Sequence, residues 1–162
     1  EKARETGACP ITGAAFLEPV WMKIKAEFPN VDRNTTGIGS AIFAVKPGDG
    51  SAREQAASCQ RVLLGGANIT VEYATKRYRS NLINWGMVPF VLNGKPDFAD
   101  DDYIFVPDIK KALDTDMKEI KAYVIGEEIR PLSLAIEPLT DEEKEIIRCG
   151  SLINYNRKLK ER

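Results

Sequence analysis

A serine and an arginine stand two positions apart in the stretch GDGSAR, residues 48–53. A glycine turn lets a ligand approach the backbone, and a helix that begins just after such a turn presents free N–H groups at its positive end. Arg53 could add a bidentate contact to a carboxylate, and an oxygen on Ser51 would be stabilised as an alkoxide in the same field. The residue types therefore fit a site that binds an anion and takes a proton from it.

The same letters also fit a purely structural motif. Ser51 and Glu54 have the S-x-x-E spacing of a capping box, in which the serine hydroxyl caps a backbone N–H and the glutamate reaches back. Three other interpretations are excluded, because the stretch lacks the phosphate-loop pattern GxxxxGK[ST], the third glycine of GxGxxG and the pattern GxSxG. From the residues alone, the capping box and the anion site both remain open.

The elements around the turn follow from the periodicity of the apolar residues. Residues 40–46 (SAIFAVK) predict a buried strand, and the pattern from Ser51 onward predicts a helix that stops at Gly65 and Gly66. The other predicted elements are helices over 17–28 and within 73–86, strands over 67–72 and 87–92, strands in YIFVPDI, IKAYVIG and EIRPLSLAIE with a turn at Gly126-Glu127, and a last helix opened by a Thr140–Glu143 capping box and followed by Gly150. The alternation of strand and helix in the first half predicts an α/β fold with some parallel pairing.

Composition excludes several classes of function. With 23 basic and 24 acidic residues, the chain has no positive field to collect nucleic acid, and we expect neither nucleic acid nor a membrane as partner. The basic stretch 76–79 (KRYR) and the aspartates at 100–102 are predicted to be solvated. The chain has no histidine, so Ser-His and Cys-His chemistry are excluded within it. Cys9, Cys59 and Cys149 are too far apart for a local metal site, so we expect plain thiols and no metal or cofactor bound by this chain. No apolar run is long enough for a membrane helix and the first residues contain no apolar segment of a signal peptide, so we expect a cytoplasmic location.

Four motifs occur in a fixed order: GDGSAREQA at 48–56, GGA at 65–67, NLINWGMVP at 81–89 and CGSLIN at 149–154. In the same order they resemble G-[DE]-G-S-S-R-E-H-A, a glycine-rich turn into a strand, N-L-x-x-x-G-[LM]-x-P and A-G-S-x-N of the C-terminal swivel domain of the aconitase family. The resemblance covers about residues 36–158, which is most of the chain.

The resemblance implies a three-layer β/β/α swivelling domain with a mixed sheet and a β-rich second half. Such a domain closes over a cleft formed by other domains, which carry a [4Fe-4S] cluster and bind a small hydroxy di- or tricarboxylic acid. By position, Ser51 matches the family's serine base and Arg53 the arginine that holds a substrate carboxylate, while Gly50 belongs to the turn that meets the substrate. The substrate-binding residues implied are Gly50, Ser51, Ala52 and Arg53, and the activity is that of a hydro-lyase, or hydratase, with the isolated domain inactive.

Three departures from the family pattern limit these expectations. Ala52 stands where the family has a second serine, which puts citrate in doubt as the substrate, and Gln55 stands where it has a histidine. The family's T-D-H-I-S element is absent, since the start of the chain offers only TGACPITG.

We expect residues 1–162 to form a single swivel domain at the C-terminus of a larger hydratase, with a helical lead-in over 1–30 and a frayed tail over 158–162. Two alternatives stay open. The chain could be a separate small subunit, as in isopropylmalate isomerase, that works with a large subunit. It could also be a noncatalytic anion-binding domain of a degenerate aconitase homologue, which Ala52 favours.

Overall fold

The computed structural model describes residues 17–100, 102–115 and 117–161. Cys9 and the TGACPITG stretch lie outside these residues. The helices are α1 (Leu17–Glu27), α2 (Arg53–Val62), α3 (Lys76–Asn84), α4 (Ile109–Ala112), α5 (Asp141–Cys149) and α6 (Leu152–Lys160). The strands are β1 (Ser40–Ala44), β2 (Gly65–Thr70), β3 (Val88–Leu92), β4 (Tyr103–Phe105), β5 (Ile120–Ile125) and β6 (Ile129–Ile136).

The six strands form one mixed sheet in the order β1-β2-β3-β6-β5-β4. β1, β2 and β3 are parallel to one another, whereas β3 pairs with β6 and β4 with β5 in antiparallel fashion. Helices connect the parallel strands, because a parallel connection has to cross over before it can pair again. The predicted α/β class with parallel pairing in the first half and a β-rich second half is therefore confirmed.

By its contacts the chain divides into two compact units. The first comprises the described residues up to Ile38 together with Asp97–Pro107 and Lys121–Leu132. Its core consists of Ile24, Phe105 and Ile125, and the ring of Phe28 packs on that of Tyr123 with centroids 4.7 Å apart. The expectation that residues 1–162 form a single swivel domain stays a prediction.

The second unit comprises Gly39–Pro96, Asp108–Ile120 and Ser133–Arg162 and contains all four motifs. One of its clusters joins Ala57 of α2 to Tyr78 and Leu82 of α3 and to Met87, with Tyr73 and Trp85 packed against it. Side chains of β2, β3 and β6, such as Ile69, Phe90 and Leu134, are buried in the sheet. This packing fixes the starts of α2 and α3 relative to the parallel strands.

Strand β1 corrects the expectation of a buried strand over 40–46. Its first four residues are exposed, Ile42 by 40%, and only Ala44 is half-buried. The apolar run gave the right secondary structure and the wrong environment, because β1 is the edge strand and pairs with β2 alone.

The ends of the later helices confirm some predictions and correct others. The Thr140–Glu143 capping box opens α5, and Gly150 closes it with a φ of 80°. The glycine stop predicted for α2 is wrong, because Leu64 adopts the left-handed conformation, with a φ of 63°, and Gly65 already belongs to β2. The tail expected to fray from 158 onward is helical through Lys160.

Among the described helices the longest has 11 residues, and none combines the length and the apolar character that crossing a bilayer requires. The cytoplasmic location stays a prediction.

The basic stretch 76–79 is not the solvated face that was predicted. Lys76 and Arg77 are exposed, but Tyr78 and Arg79 are buried. Arg79 donates through Nη2 to the carbonyls of Glu137 and Pro138, each at 2.9 Å, and its Nε lies 3.3 Å from the Glu137 carboxylate. Arg79 therefore ties α3 to the chain that leaves β6, and it is not available to a nucleic acid.

We predict that Arg79→Ala lowers the free energy of unfolding by about 2–3 kcal/mol, because it leaves two carbonyls without their donor. Arg77→Ala, two residues earlier and exposed, is the matched control and is expected to change it by less than about 0.5 kcal/mol. Urea denaturation followed by circular dichroism measures both. Equal effects of the two substitutions would contradict the structural role of Arg79.

Candidate functional site

The GDGSAR stretch lies at the carboxyl edge of the parallel strands. It follows β1 directly, and the start of α3 follows β2 at the same edge because β1 and β2 run parallel. Backbone hydrogen bonds join the two exits: Val71 and Glu72 donate to the Val45 carbonyl, and Ala74 donates to the Pro47 carbonyl at 3.0 Å. This edge is where open α/β sheets bind their ligands.

Gly48 is fixed against helix α3. Its φ is 97°, and a Cβ at this position would lie 2.5 Å from the Cβ of Tyr78, so only glycine fits. Its carbonyl accepts two hydrogen bonds, from Thr75 Oγ1 at 3.0 Å and from Arg53 Nε at 2.9 Å. Gly48, where the turn begins, is thus held by its backbone conformation, by the Tyr78 ring and by the side chains of Thr75 and Arg53.

The start of α2 corrects the capping-box alternative. The N-cap is Ala52, and no side chain caps the helix. Ser51 stands one residue before the N-cap, too early for its hydroxyl to serve as the cap of a helix that begins at Arg53. The first helical hydrogen bond runs from Ala56 to Ala52 at 3.0 Å.

Three N–H groups at the start of α2 are consequently available. No hydrogen bond in the described part of the chain takes the N–H of Arg53, Glu54 or Gln55. Such groups at a helix start carry partial positive charge and suit an anion. Local geometry therefore favours the anion site over the capping box.

The residues predicted to bind the substrate differ in their exposure and in their hydrogen bonds. Gly50, Ser51 and Ala52 are exposed, and among the described residues no hydrogen bond involves the Ser51 hydroxyl. Arg53 is half-buried and folds over its own turn, with Nη2 donating to the Asp49 carbonyl at 3.3 Å in addition to the bond from Nε to Gly48. A guanidinium has five N–H donors, so three are left for a ligand.

The charge near the turn is slightly positive. Lys76 and Arg77 open α3, are exposed and form no ion pair within the described residues. With Arg53 they outnumber the carboxylates of Asp49 and Glu54 by one. Basic residues in the first turn of a helix are electrostatically unfavourable unless an anion is near. The charge thus supports a local anion site in a chain whose net charge is −1.

The other three motifs, which contain Gly65, Gly86 and Gly150, lie close to one another. Gly86 has a φ of 71°, and a Cβ there would lie 2.0 Å from the Gly150 carbonyl oxygen. Arg61 Nη1 donates to the Gly65 carbonyl at 2.8 Å, and its Nη2 lies 4.0 Å from where a Gly150 Cβ would be. Gly65 begins β2 and Gly86 precedes β3, so these contacts lie at the amino ends of the parallel strands, at the edge opposite the turn, and serve packing there. After Gly150, Ser151 caps α6 by accepting from the Asn154 N–H at 3.1 Å.

A polar network beneath the turn was not predicted from the sequence. The hydroxyl of Tyr78 accepts from Gln60 Nε2 at 2.8 Å and from Asn68 Nδ2 at 3.1 Å. Tyr73, whose ring lies 6.3 Å from that of Tyr78, donates to the Phe90 carbonyl at 3.3 Å, and burial raises the pKa of Tyr73, which keeps its hydroxyl protonated. The role of Thr75 as the N-cap of α3 could have been predicted from the sequence, because a threonine directly before a helical pattern is a usual N-cap.

The described residues offer no metal centre. No group of three or more His, Cys, Asp or Glu side chains among them is placed to hold a metal ion. Cys59 and Cys149 are free thiols. Of the aspartates at 100–102, Asp102 accepts from the Ala99 N–H at 3.0 Å and pairs with Arg130 at 3.2 Å, and Asp101 lies outside the described residues.

No protein-family model and no curated protein matches the chain. Among solved structures it is similar to the crystal structure of 3-isopropylmalate dehydratase (LeuD) from Methanocaldococcus jannaschii, with 27% sequence identity and a TM-score of 0.57. The alignment covers 90% of this chain and 80% of that chain. The likeness confirms both the resemblance drawn from the four motifs and the predicted fold class.

We predict that Gly86→Ala lowers the free energy of unfolding by at least about 3 kcal/mol, because the new methyl group would overlap the Gly150 carbonyl. Gly94→Ala is the matched control. Gly94 also has a positive φ, 112°, but a Cβ there would meet nothing within 4 Å, so it reports the backbone strain alone, about 1 kcal/mol. Urea denaturation of both variants measures the difference. Equal losses would show that the contact between the two motifs contributes nothing.

Proposed function

We propose that this chain, which has the fold of an aconitase-type swivel domain, is the substrate-closing part of a hydro-lyase. The reaction would be the reversible dehydration of a hydroxy di- or tricarboxylic acid. A similarity to a 3-isopropylmalate dehydratase supports this reaction class. The name of that enzyme describes a hydroxy dicarboxylic acid, so it agrees with the substrate class inferred from the motifs.

The observation that carries the proposal is the uncapped start of α2 beside Arg53. Three free N–H groups and three free guanidinium donors lie within one turn of helix, next to an exposed serine. A substrate carboxylate would accept from these donors, and charge-assisted bonds of this kind are about twice as strong as neutral ones.

Ser51 would act as the base. During dehydration its oxygen takes the proton from the carbon beside the bound carboxylate, and during hydration it returns the proton to that carbon. As the proton leaves, negative charge spreads into the carboxylate, where the N–H groups of α2 and Arg53 stabilise it. This chain supplies no histidine to activate the serine, and its own contribution would be the positive field of the helix start, which lowers the free energy of the alkoxide.

Other domains are needed for this chemistry. Ser51 is exposed to water in this chain, and a serine base becomes effective only when water is excluded around it. The resemblance implies that the remaining domains, in the same chain or in a large subunit, cover the site and carry a [4Fe-4S] cluster that binds the leaving hydroxyl. The described residues of this chain do not suit such a cluster, since they provide two separate thiols and no group of three ligands. We infer that the isolated domain is inactive.

Two alternatives have specific support. The matched region takes up 80% of the dehydratase chain, which favours a separate small subunit of an isopropylmalate-isomerase-like enzyme over a fused domain. Ala52 favours a noncatalytic anion-binding domain, because it removes one hydroxyl from the turn. Copurification of a cluster-bearing chain distinguishes the first alternative, and ligand binding without turnover distinguishes the second.

We predict that Ser51→Ala lowers kcat by about 10²–10⁴-fold and leaves KM within a few-fold, because it removes a base that participates only in proton transfer. Arg53→Lys should raise KM by about 10-fold or more, since an ammonium cannot make the bidentate contact, and should also lower kcat, since it stabilises the developing charge less well. The measurement uses the full-length protein, with its partner domains and reconstituted cluster, and follows the unsaturated product in the ultraviolet with isopropylmalate and citrate as substrates.

Ser58→Ala is the control for these variants. Ser58 lies in the same helix, where its hydroxyl donates to the Gln55 carbonyl at 3.0 Å, and the substitution should leave kcat and KM unchanged. Unchanged kcat in Ser51→Ala would rule out the serine base. Binding of citrate or isopropylmalate without turnover in the wild type would instead establish the noncatalytic alternative.

A further inference from the structure

We propose that Thr75 is the positioning residue of the serine turn. Its hydroxyl holds the Gly48 carbonyl and through it the placement of Arg53 and Ser51. The inference rests on the proposed function, since it assigns a role to a residue outside GDGSAR for the same reaction.

The Thr75 hydroxyl makes two hydrogen bonds. Its Oγ1 accepts from the Tyr78 N–H at 3.3 Å, as the N-cap of α3, and donates to the Gly48 carbonyl at 3.0 Å. A threonine hydroxyl has a single proton to donate, so this proton is committed to Gly48. The cap of α3 and the start of the serine turn are therefore one continuous chain of hydrogen bonds.

Gly48 links Thr75 to Arg53 through its carbonyl. The Gly48 carbonyl accepts from Arg53 Nε at 2.9 Å, so its two lone pairs serve one bond from Thr75 and one from Arg53. With Nε fixed, the orientation of the planar guanidinium is fixed as well. The three remaining donors of Arg53 then point away from the turn carbonyls that the other two occupy.

The Tyr78 ring cannot replace the Thr75 hydroxyl as a donor to the Gly48 carbonyl. The Tyr78 ring lies beneath Gly48 and blocks movement toward α3, but a ring contact has no donor for the carbonyl. Without the Thr75 proton, the Gly48 carbonyl keeps, among the described residues, only the bond from Arg53. The arginine and the turn could then shift together, and a misplacement of about 1 Å can cost on the order of 10²-fold in rate.

The test compares Thr75→Val with Thr140→Val. Both substitutions remove the N-cap hydroxyl of a nine-residue helix, but Thr140 caps α5 by accepting from the Glu143 N–H and does not touch the turn. In the full-length protein with isopropylmalate and citrate as substrates, Thr75→Val should lower kcat/KM by about 10²-fold. Thr140→Val should reproduce the loss of stability without that loss of kcat/KM. Thr75→Ser, which keeps both hydrogen bonds, should restore kcat/KM to within a few-fold.

A second measurement does not depend on activity. Hydrogen–deuterium exchange of a peptide covering residues 45–55 should accelerate in Thr75→Val and stay at the wild-type rate in Thr75→Ser and Thr140→Val. Unchanged exchange in Thr75→Val, or equal kinetic losses in the two valine variants, would overturn the positioning role. Accelerated exchange in a protein whose wild type turns over neither substrate would support the role of Thr75 in the turn while rejecting the proposed function.

Discussion

The contact of the Gly48 backbone with the ring of Tyr78 is the constraint on which the serine turn depends. It requires a residue without a side chain, because a Cβ would lie 2.5 Å from the Tyr78 Cβ. Tyr78 is itself held by its hydroxyl, which accepts from Gln60 of α2 and Asn68 of β2. Tyr78, which lies on α3, therefore connects that helix to strand β2 and to helix α2, which follows the turn. A displacement of any of these elements would move the start of the turn.

Helices α5 and α2 differ in how the N–H groups of their first turns are satisfied. α5 satisfies its first N–H groups internally, through a reciprocal capping box between Thr140 and Glu143. α2 has neither a side-chain cap nor any other described partner for three of its N–H groups. A capped start contributes about 1 kcal/mol to stability, so the uncapped start of α2 is a local loss of stability. Unsatisfied groups of this kind are concentrated at functional sites, because a ligand can complete them.

The turn and the secondary structure around it could be predicted from the sequence, whereas the burial and the contacts of individual residues could not. The turn, its helix and the parallel strands followed from glycine positions, apolar periodicity and motif order. The failures at Arg79 and β1 concern interactions between residues distant in sequence, whereas the failure at Ser51 arose from local contacts. The capping box at Ser51 was wrong because Arg53 bonds back to Gly48 and the helix begins two residues later than Ser51. The burial of Arg79 depends on carbonyls 58 and 59 residues away, and the exposure of β1 depends on its place at the edge of the sheet.

Ala52 leaves the turn with one hydroxyl fewer, and it would also change the free energy of binding an anion at the start of α2. It occupies the N-cap position of α2, where a serine side chain would accept from the N–H of Glu54 or Gln55. A serine there would compete with a ligand for the same donors, and the ligand would have to displace it. With alanine, a ligand carboxylate meets no intramolecular competitor at these N–H groups and adds the missing cap on binding. In the proposed reaction, alanine at this position would remove one hydroxyl contact to the substrate and make the backbone contacts to its carboxylate more favourable, which is compatible with a turn that binds a smaller hydroxy acid than citrate.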